Sequence, residues 1–480
     1  MLPADFEGHP EVAAPLSPLQ LGRASLMYAF GGLAYKGVAL LSVPILARLL
    51  SPAELGLLDL AAVLASTVGL AVSVGIDQSV AYHEPRSPSA SILWSSALSI
   101  VIAGGVVAVA LAFLLQAPLA LLITGRESDA GVVAAAAVYG AVMALSGLAL
   151  VTIRLRASTR TYAVASFLIV TAEMAGALAV AWLVQDPLPL MVLAWAAGAG
   201  LVAVPLLIRH LPGMTRPDPS TVRRLAAYGL PLVPAAIAWL IGDAWIRSTL
   251  ARGADLTAVG EYGIAYRIAS ILGMLVAGLG VAWYPYIYRS PPEAVGDRAA
   301  RMLAVVIGVL GAAAVALTAL GPEVIAVVAG APYAGARTVV GALAAGMIAM
   351  GAFVLLAGVI GSSGSTGRVA LAAVVGALCQ GVVATLLVPA LGLAGAGVAS
   401  FIGYAIALVA AGVAARRAIS ARAILPLLLT TVAVAAGLVV AQWLLDGSLV
   451  ARVGLAAAAV VAGATYAARA HPIGDRQAHA

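Results

Sequence analysis

Apolar runs of about twenty residues follow one another along this chain with few charges inside them, and that feature decides what it can fold into. Twenty helical residues at 1.5 Å each cross the hydrocarbon core of a bilayer. The runs are continuous rather than alternating segments of about ten residues, so they predict helices and not a barrel. Composition agrees. Hydrophobic residues make up 63% of the chain and charged residues 10%, against about 25% charged in a soluble domain. The runs fall near 24–47, 57–81, 91–115, 131–152, 161–184, 188–208, 227–250, 261–288, 302–320, 337–360, 369–388, 393–415, 423–445 and 453–468. The expected molecule is an all-α integral membrane protein with about 14 transmembrane helices.

An even number of spans places both termini on one side. With a cytoplasmic N-terminus, eighteen arginines fall on the cytoplasmic side, and only Arg48, Arg126, Arg252, Arg337 and Arg452 fall on the other. Positive charge accumulates on the cytoplasmic side of membrane proteins, so both termini are expected there. This placement also accounts for the net charge of +6 without a nucleic-acid partner. The opening stretch "MLPADFEGHPEVAAPLSPLQ" has no basic region followed by a short apolar core, so it reads as a cytoplasmic tail rather than a signal peptide. A single cysteine, Cys379, excludes an intrachain disulfide and reads as a small core residue.

Three cations fall inside predicted spans: Lys36, Arg247 and Arg267. Lys36, the only lysine, lies about twelve residues from either end of its run, roughly 18 Å from each interface. Its stem cannot reach water from there, so it must face the bundle interior or a wet cavity. Glu173 and Asp243 also fall inside spans, and Asp77 near the inner end of the second.

The chain repeats itself at an offset of 204. "ARLLSPAELG" (47–56) matches "ARGADLTAVG" (251–260), and Ala61, Ala65 and Ser66 match Ala265, Ala269 and Ser270. "PLALLITG" from Pro118 matches "PEVIAVVAG" from Pro322. The repeat pairs spans 1–6 with spans 7–12. Six is even, so the two lobes are parallel, with a substrate path expected between them. The predicted organisation is a cytoplasmic tail (1–22), an N-lobe (23–210), a C-lobe (221–418), an additional helix pair (421–470) and a second tail (471–480).

The stretch "LGRASLMYAFGGLAYKGVALLSVPILARLLSPAELGLLDLAAVLASTVGLAVSVGIDQSVAYHEP" resembles the start of the polysaccharide flippases, the Wzx type of the MOP superfamily. "GPEVIAVVAGAPYAGA" (321–336) and "PALGLAGAGVAS" (389–400) are also similar to that family's patterns. The resemblance implies two lobes that alternate access around a cationic cavity, with an oligosaccharide on undecaprenyl diphosphate as cargo. MurJ-type lipid II flippases and MATE drug exporters are relatives with the same lobes. In the MurJ type, cations of helices 1 and 8 face the diphosphate; Lys36 and Arg267 lie in those helices here. "LAYKG" departs from the MurJ pattern in having lysine and no following acid, which weakens the lipid II reading.

Each charged residue has a structural alternative. Lys36 either receives a diphosphate or pairs with an acid on a neighbouring helix. Asp243 and Arg247, four residues apart, share a helical face and either neutralise each other or part to free Arg247. Arg267 either faces the cavity or pairs with Glu261 or Asp255. Glu173 is either a site for a coupling ion (H+ or Na+) or one half of an ion pair. Asp77 reads as a gate or helix-end residue before an ion ligand. Trp239 and Trp245 either stack on sugar or pack. The cluster "WYPYIY" (283–288) reads as an interfacial aromatic belt, and Pro44, Pro231 and Pro234 read as kinks in the first helix of each lobe.

"GSSGSTG" (361–367) lacks the Gly-Lys-Ser/Thr ending of a phosphate loop and reads as a turn. Neither a metal centre nor a cofactor is expected: the five histidines fall in tails and loops, and no acidic cluster appears. The short outer loops and the lack of a carboxylate–metal set argue against a polymerase, ligase or glycosyltransferase, so the chain is not read as an enzyme. A MATE-like exporter of organic cations would want an acidic, aromatic cavity, and the buried cations favour an anionic cargo instead. The expected setting is the bacterial inner membrane, with a single chain as the transporting unit, lipid and the lipid-linked glycan as its partners, and polymerase or glycosyltransferase machinery nearby.

Overall fold

The computed structural model describes residues 38, 42–84, 87–230, 233–288, 292–362, 366–416, 431, 438, 452–459 and 461. Among these, every regular element is a helix. Residues 42–49 form the described part of α1. Then come α2 (Pro52–Ser73), α3 (Ile76–His83), α4 (Ala90–Leu114), α5 (Gln116–Thr124), α6 (Ala130–Arg156), α7 (Thr159–Leu183) and α8 (Leu188–His210). The second half holds α9 (Pro219–Gly229), α10 (Val233–Gly253), α11 (Leu256–Tyr288), α12 (Pro292–Ala319), α13 (Gly321–Val328), α14 (Val340–Ser362) and α15 (Thr366–Ala415). Residues 452–459 form a last helical segment, α16.

Nine helices among the described residues are long and apolar enough to cross a membrane. α10 is not one of them: its 21 residues include Asp243, Arg247 and Arg252. α15 is two crossings joined at Gly392, where φ 53 and ψ −130 break the helix between the expected runs. The second run is also divided. α2 starts at Pro52, earlier than its apolar run, because Ser51 caps it. It ends where Val74 (φ 49) and Gly75 (φ 64) adopt left-handed backbone, a conformation glycine takes at no steric cost. Three short helices have no counterpart among the apolar runs: α5, α9 and α13. Of the expected spans 13 and 14, only residues 431, 438, 452–459 and 461 are described, all helical.

Packing repeats with the sequence. α6 is the hub of the first group, touching α2, α4 and α8, while α7 packs on α8. α14 is the hub of the second, touching α11, α12 and α15. The groups meet chiefly through α2 against α11 and α10. α9 joins them as an amphipathic helix that buries Thr221, Leu225 and Gly229 on one face. Asp218 caps it, accepting from Thr221 N and Oγ1 and from Ser220 Oγ, and these hydrogen bonds hold its pKa down at about 2. Backbone amides of Thr215 and Asp218 donate to Ser95 and Ser96 of α4, tying this connection to the first group.

Trp283, the first residue of the aromatic cluster read as a belt, is an exception to that reading. It is 1% exposed and donates from Nε1 to the Leu355 carbonyl of α14 at 2.9 Å. An indole whose N–H finds a backbone acceptor inside the bundle does not need the interface. Of the prolines read as kinks, Pro44 lies in α1, Pro234 in the first turn of α10, and Pro231 outside the described residues.

Candidate functional site

The groups meet first at the arginine-poor end, and there the contact is reciprocal. Gly56 of α2 sits against Gly260 and the Leu256 carbonyl of α11, and Gly260 sits against Gly56 and the Pro52 carbonyl. Each pair of counterparts, 52 with 256 and 56 with 260, is separated by the repeat offset of 204. Any Cβ at either glycine would collide with backbone, so glycine sets how closely the helices approach. The N-caps match as well. Ser51 Oγ accepts from Glu54 N while the Glu54 carboxylate accepts from Ser51 N, a capping box. Asp255, the counterpart of Ser51, accepts from Ala258 N at 2.7 Å. The arginines of the repeated turn cross over. Arg48 donates to the Val327 carbonyl of α13 in the second group, and Arg252 to the Leu122 carbonyl of α5 in the first. Each guanidinium thus meets the negative end of a short helix belonging to the other group.

Less than two turns deeper the contact loses its symmetry. Asp59 of α2 is 6% exposed and lies between two guanidiniums of the other group. Its Oδ2 accepts from Arg247 Nε of α10 at 2.6 Å, and its Oδ1 pairs with Arg267 Nη2 of α11 at 2.8 Å. Arg247 is 2% exposed and stacks against the rings of Tyr262 and Tyr266, with centroids 5.1 and 5.0 Å away. It also donates to the Asp243 carbonyl at 3.2 Å, with the Asp243 carboxylate at 3.9 Å. Gln380 of α15 donates to Asp243 at 3.3 Å, and Tyr262 hydrogen-bonds Ser400 at 2.7 Å. Gly263 faces the Asp59 carboxyl; a Cβ there would lie 2.9 Å from its Cγ.

This geometry corrects two expectations. Arg247 and Asp243 do share a face, but the closer partner of Arg247 is Asp59, across the interface. Arg267 pairs with Asp59 and not with Glu261 or Asp255. Glu261 accepts instead from the Gly335 amide at 3.0 Å, and Asp255 is spent as a cap. Asp59 was the residue overlooked. It stands two residues inside the run 57–81, and charges so near a run's edge are easily assigned to the interface.

Beyond Asp59, Arg267 borders a cavity of about 150 Å³ that is otherwise lined by the first group, including Ser42, Tyr139, Glu173 and Trp195. Three buried polar atoms near it have no hydrogen-bond partner among the described residues: Glu173 Oε2, Trp195 Nε1 and Arg267 Nη1. Tyr139 hydrogen-bonds the Glu173 side chain. A larger cavity of about 460 Å³ lies toward the arginine-rich end, lined by Ser66, Ser73, Asp77, Arg154, Tyr162 and Leu240 among others. Among the described residues, the two groups are in tight contact where the arginines are few, and a cavity lies where they are many.

The structure thus brings Arg247, Arg267 and Asp243 together around Asp59, places Glu173 one cavity away and Asp77 on the wall of the larger one. Trp239 stacks on Tyr404 (4.9 Å, 30°) and meets Phe353 edge-on (5.9 Å, 78°), inside the second group. Trp245 donates to Thr385 Oγ1 at 3.1 Å and lies over Gly381 of α15. Neither tryptophan lines the two cavities. Lys36 lies outside the described residues. Among the described residues no group of histidine, cysteine and carboxylate side chains could hold a metal ion.

The fold is similar to that of solved transporters. Lipid II flippase MurJ in an inward closed conformation superposes with a TM-score of 0.69 at 12% identity, covering 92% of this chain and 99% of that one. The MATE multidrug transporter DinF-BH gives 0.61 at 17% identity, covering 85% and 97%. The Vibrio cholerae MATE transporter VcmN, solved as a mutant, gives 0.56 at 15%, covering 83% and 96%. At these identities the likeness is one of fold. No curated protein matches the sequence. Residues 21–290, more than half of the 480, match the model of a family described as polysaccharide biosynthesis protein, and the chain belongs to that family.

Proposed function

We propose that this multi-pass membrane protein is a flippase that carries an undecaprenyl-diphosphate-linked oligosaccharide from the cytoplasmic to the outer leaflet. The observation that carries this reading is the charge arrangement at the interface. One group of helices contributes two guanidiniums, Arg247 and Arg267, and the other contributes the single carboxylate of Asp59 that holds them. When the groups part, that carboxylate leaves with its own group, and two cations face the opened path. A cation deep in a membrane protein marks a substrate pathway when it has an anion to meet there, and a diphosphate is such an anion. Lys36, in the first helix, is the third cation of this set.

In this reading the chain sits in the bacterial inner membrane with its arginine-rich end, and both termini, in the cytoplasm. The cavity of about 460 Å³ is then the cytoplasmic vestibule, with Asp77 as a gating residue on its wall. Glu173 is the coupling residue. Its carboxyl borders the same small cavity as Arg267, so gain or loss of a proton or Na+ there changes the field that Arg267 feels. The protein works as a single chain, supplied by glycosyltransferases and followed by a polymerase that uses the flipped glycan. A sugar-stacking role for Trp239 or Trp245 requires the packing on Tyr404 or Gly381 to open during transport.

The test is a deletion strain. Undecaprenyl-linked oligosaccharide should accumulate on the cytoplasmic side, and Lys36→Ala or Arg267→Ala should fail to clear it, while Lys36→Arg restores part of the flux. An unchanged glycan profile with new sensitivity to cationic drugs would overturn the reading in favour of an exporter. Accumulation of lipid II would assign it to the peptidoglycan precursor.

A further inference from the structure

The two crossings of α15 enclose a groove of about 370 Å³ that plays no part in the interface described above. It is lined by Arg368, Leu371, Val375, Ala410, Val413 and Arg416, with Ala372 and Ala414 as its floor. No residue of α2, α10 or α11 lines it, so it lies off the path between the groups. Its volume falls within the roughly 300–1,000 Å³ of sites that hold small ligands.

Two features decide what it can take. The first is charge. Arg368 is in the first turn of α15 and Arg416 follows its last residue, so one arginine from each crossing lines the groove at the arginine-rich end. Arginines elsewhere reach carboxylate partners, as in Arg156–Glu84, Arg267–Asp59 and Arg452–Glu323. Arg368 and Arg416 have no ion pair or side-chain hydrogen bond among the described residues. The second is the wall. Leu371 is 64% exposed and Val413 55%, and along the same two crossings Leu378, Leu386 and Val409 are exposed as well. On membrane-spanning helices such a face meets lipid. The groove therefore opens sideways into the bilayer, with an apolar wall below and two cations at headgroup depth.

We propose that this groove is a binding site for an anionic diacyl phospholipid taken from the bilayer. Its phosphate sits between Arg368 and Arg416 and one acyl chain lies along Leu371, Val375, Ala410 and Val413. Basic pockets between transmembrane helices at the cytoplasmic surface hold lipid headgroups in this way, and paired guanidiniums suit a phosphate because each offers several donors. The apolar wall selects a lipid over a soluble phosphate, since only a chain gains by covering it.

The full-length protein is reconstituted in vesicles of equal phosphatidylglycerol and phosphatidylcholine, extracted in mild detergent, and its retained lipid read by native mass spectrometry. The wild type should keep phosphatidylglycerol over phosphatidylcholine. Arg368→Gln with Arg416→Gln should lower that retention at least tenfold. Val413→Phe, which fills the groove and leaves both arginines, should lower it by a similar factor, so the test stands even if the double variant fails to fold. Arg209→Gln, an exposed arginine at the same end, should change nothing. Ten millimolar inorganic phosphate should leave the lipid in place. Equal retention of both lipids, retention by the double variant, displacement by phosphate, or a polyprenyl phosphate found in place of the diacyl lipid would each overturn the proposal. None of these readouts depends on what the protein transports.

Discussion

Two layers of contact, less than two helical turns apart, join the halves of this molecule, and they are built on opposite rules. In the outer layer each residue meets its own repeat counterpart or that counterpart's partner: Gly56 with Gly260, Arg48 and Arg252 each crossing to the other half's short helix. In the inner layer the counterparts differ. The offset of 204 sets Asp59 against Gly263, Arg247 against Val43 and Arg267 against Val63. The outer layer therefore has the character of a closure inherited by both halves from one ancestor. The inner layer is where the halves differ, the first supplying Asp59 and the second the two guanidiniums that meet it. Charge asymmetry at a symmetric junction fits the lipid-linked cargo proposed above, which has one anionic end.

Breaking the inner layer should have the largest effect. Asp59→Ala removes the carboxylate shared by two guanidiniums, and loss of one partner of a buried ion pair costs about 3–5 kcal/mol. Unfolding of the purified protein in detergent should show that loss. Adding Arg247→Met, Arg267→Met and Asp243→Asn should return most of it, because no buried charge is then left unpaired. A stability for Asp59→Ala within about 1 kcal/mol of wild type would mean the cluster does not hold the closed form. In a comparison between halves, Gly263→Asp with Asp59 kept should destabilise the cluster, since it sets a second carboxylate against the first.

The outer layer should respond evenly. Gly56→Val and Gly260→Val each push a side chain into the opposing backbone, and overpacking of this kind costs about 1–3 kcal/mol. The two penalties should agree, and the thiol reactivity of a cysteine introduced at Ala53, beside the crossing, should rise in both. Unequal penalties would contradict the reciprocal geometry. The caps come next in size. Ser51→Ala should cost about 1 kcal/mol and Asp255→Ala a similar amount, each measured by unfolding. Ser51→Asp should be neutral, because the other half already uses aspartate at that place.

Much of this was legible in the sequence, and what was not has physical reasons. Continuous apolar runs give away spanning helices because lipid imposes one requirement on every residue of a span. The same simplicity hides the short helices α5, α9 and α13, which lie at bundle ends and need no run. The offset of 204 pointed to the closure, since "ARLLSPAELG" and "ARGADLTAVG" supply its arginines, caps and glycines. It could not show that Gly56 and Gly260 touch each other, which depends on how the halves are docked. Arg247 and Arg267 stand out as charges in apolar runs, but sequence spacing ties a charge only to acids on its own helix or the adjoining loop. Asp59 is 188 residues from Arg247, and the packing of α2 on α10 brings it there. The packing of Trp239 and Trp245 was not legible for a similar reason: an indole's neighbours are set by how helices dock, which leaves no periodic mark.

The crossing arginines give the smallest effect and the most specific comparison. Arg48 and Arg252 are each exposed at the arginine-poor end, and each donates to a carbonyl near the C-terminus of a short helix in the other half, at 3.3 and 3.0 Å. A cation at such a helix end is worth about 0.3–1 kcal/mol and is screened by salt. Arg48→Ala and Arg252→Ala should each cost an amount in that range, and the two losses should add, because the contacts share no residue. Both losses should shrink as salt rises, while the penalty for Asp59→Ala, whose charges are buried, should hardly change. If Arg48→Ala proved salt-independent, or cost several-fold more than Arg252→Ala, the outer layer would not be the symmetric closure. The asymmetry seen at Asp59 would then extend to the end of the bundle.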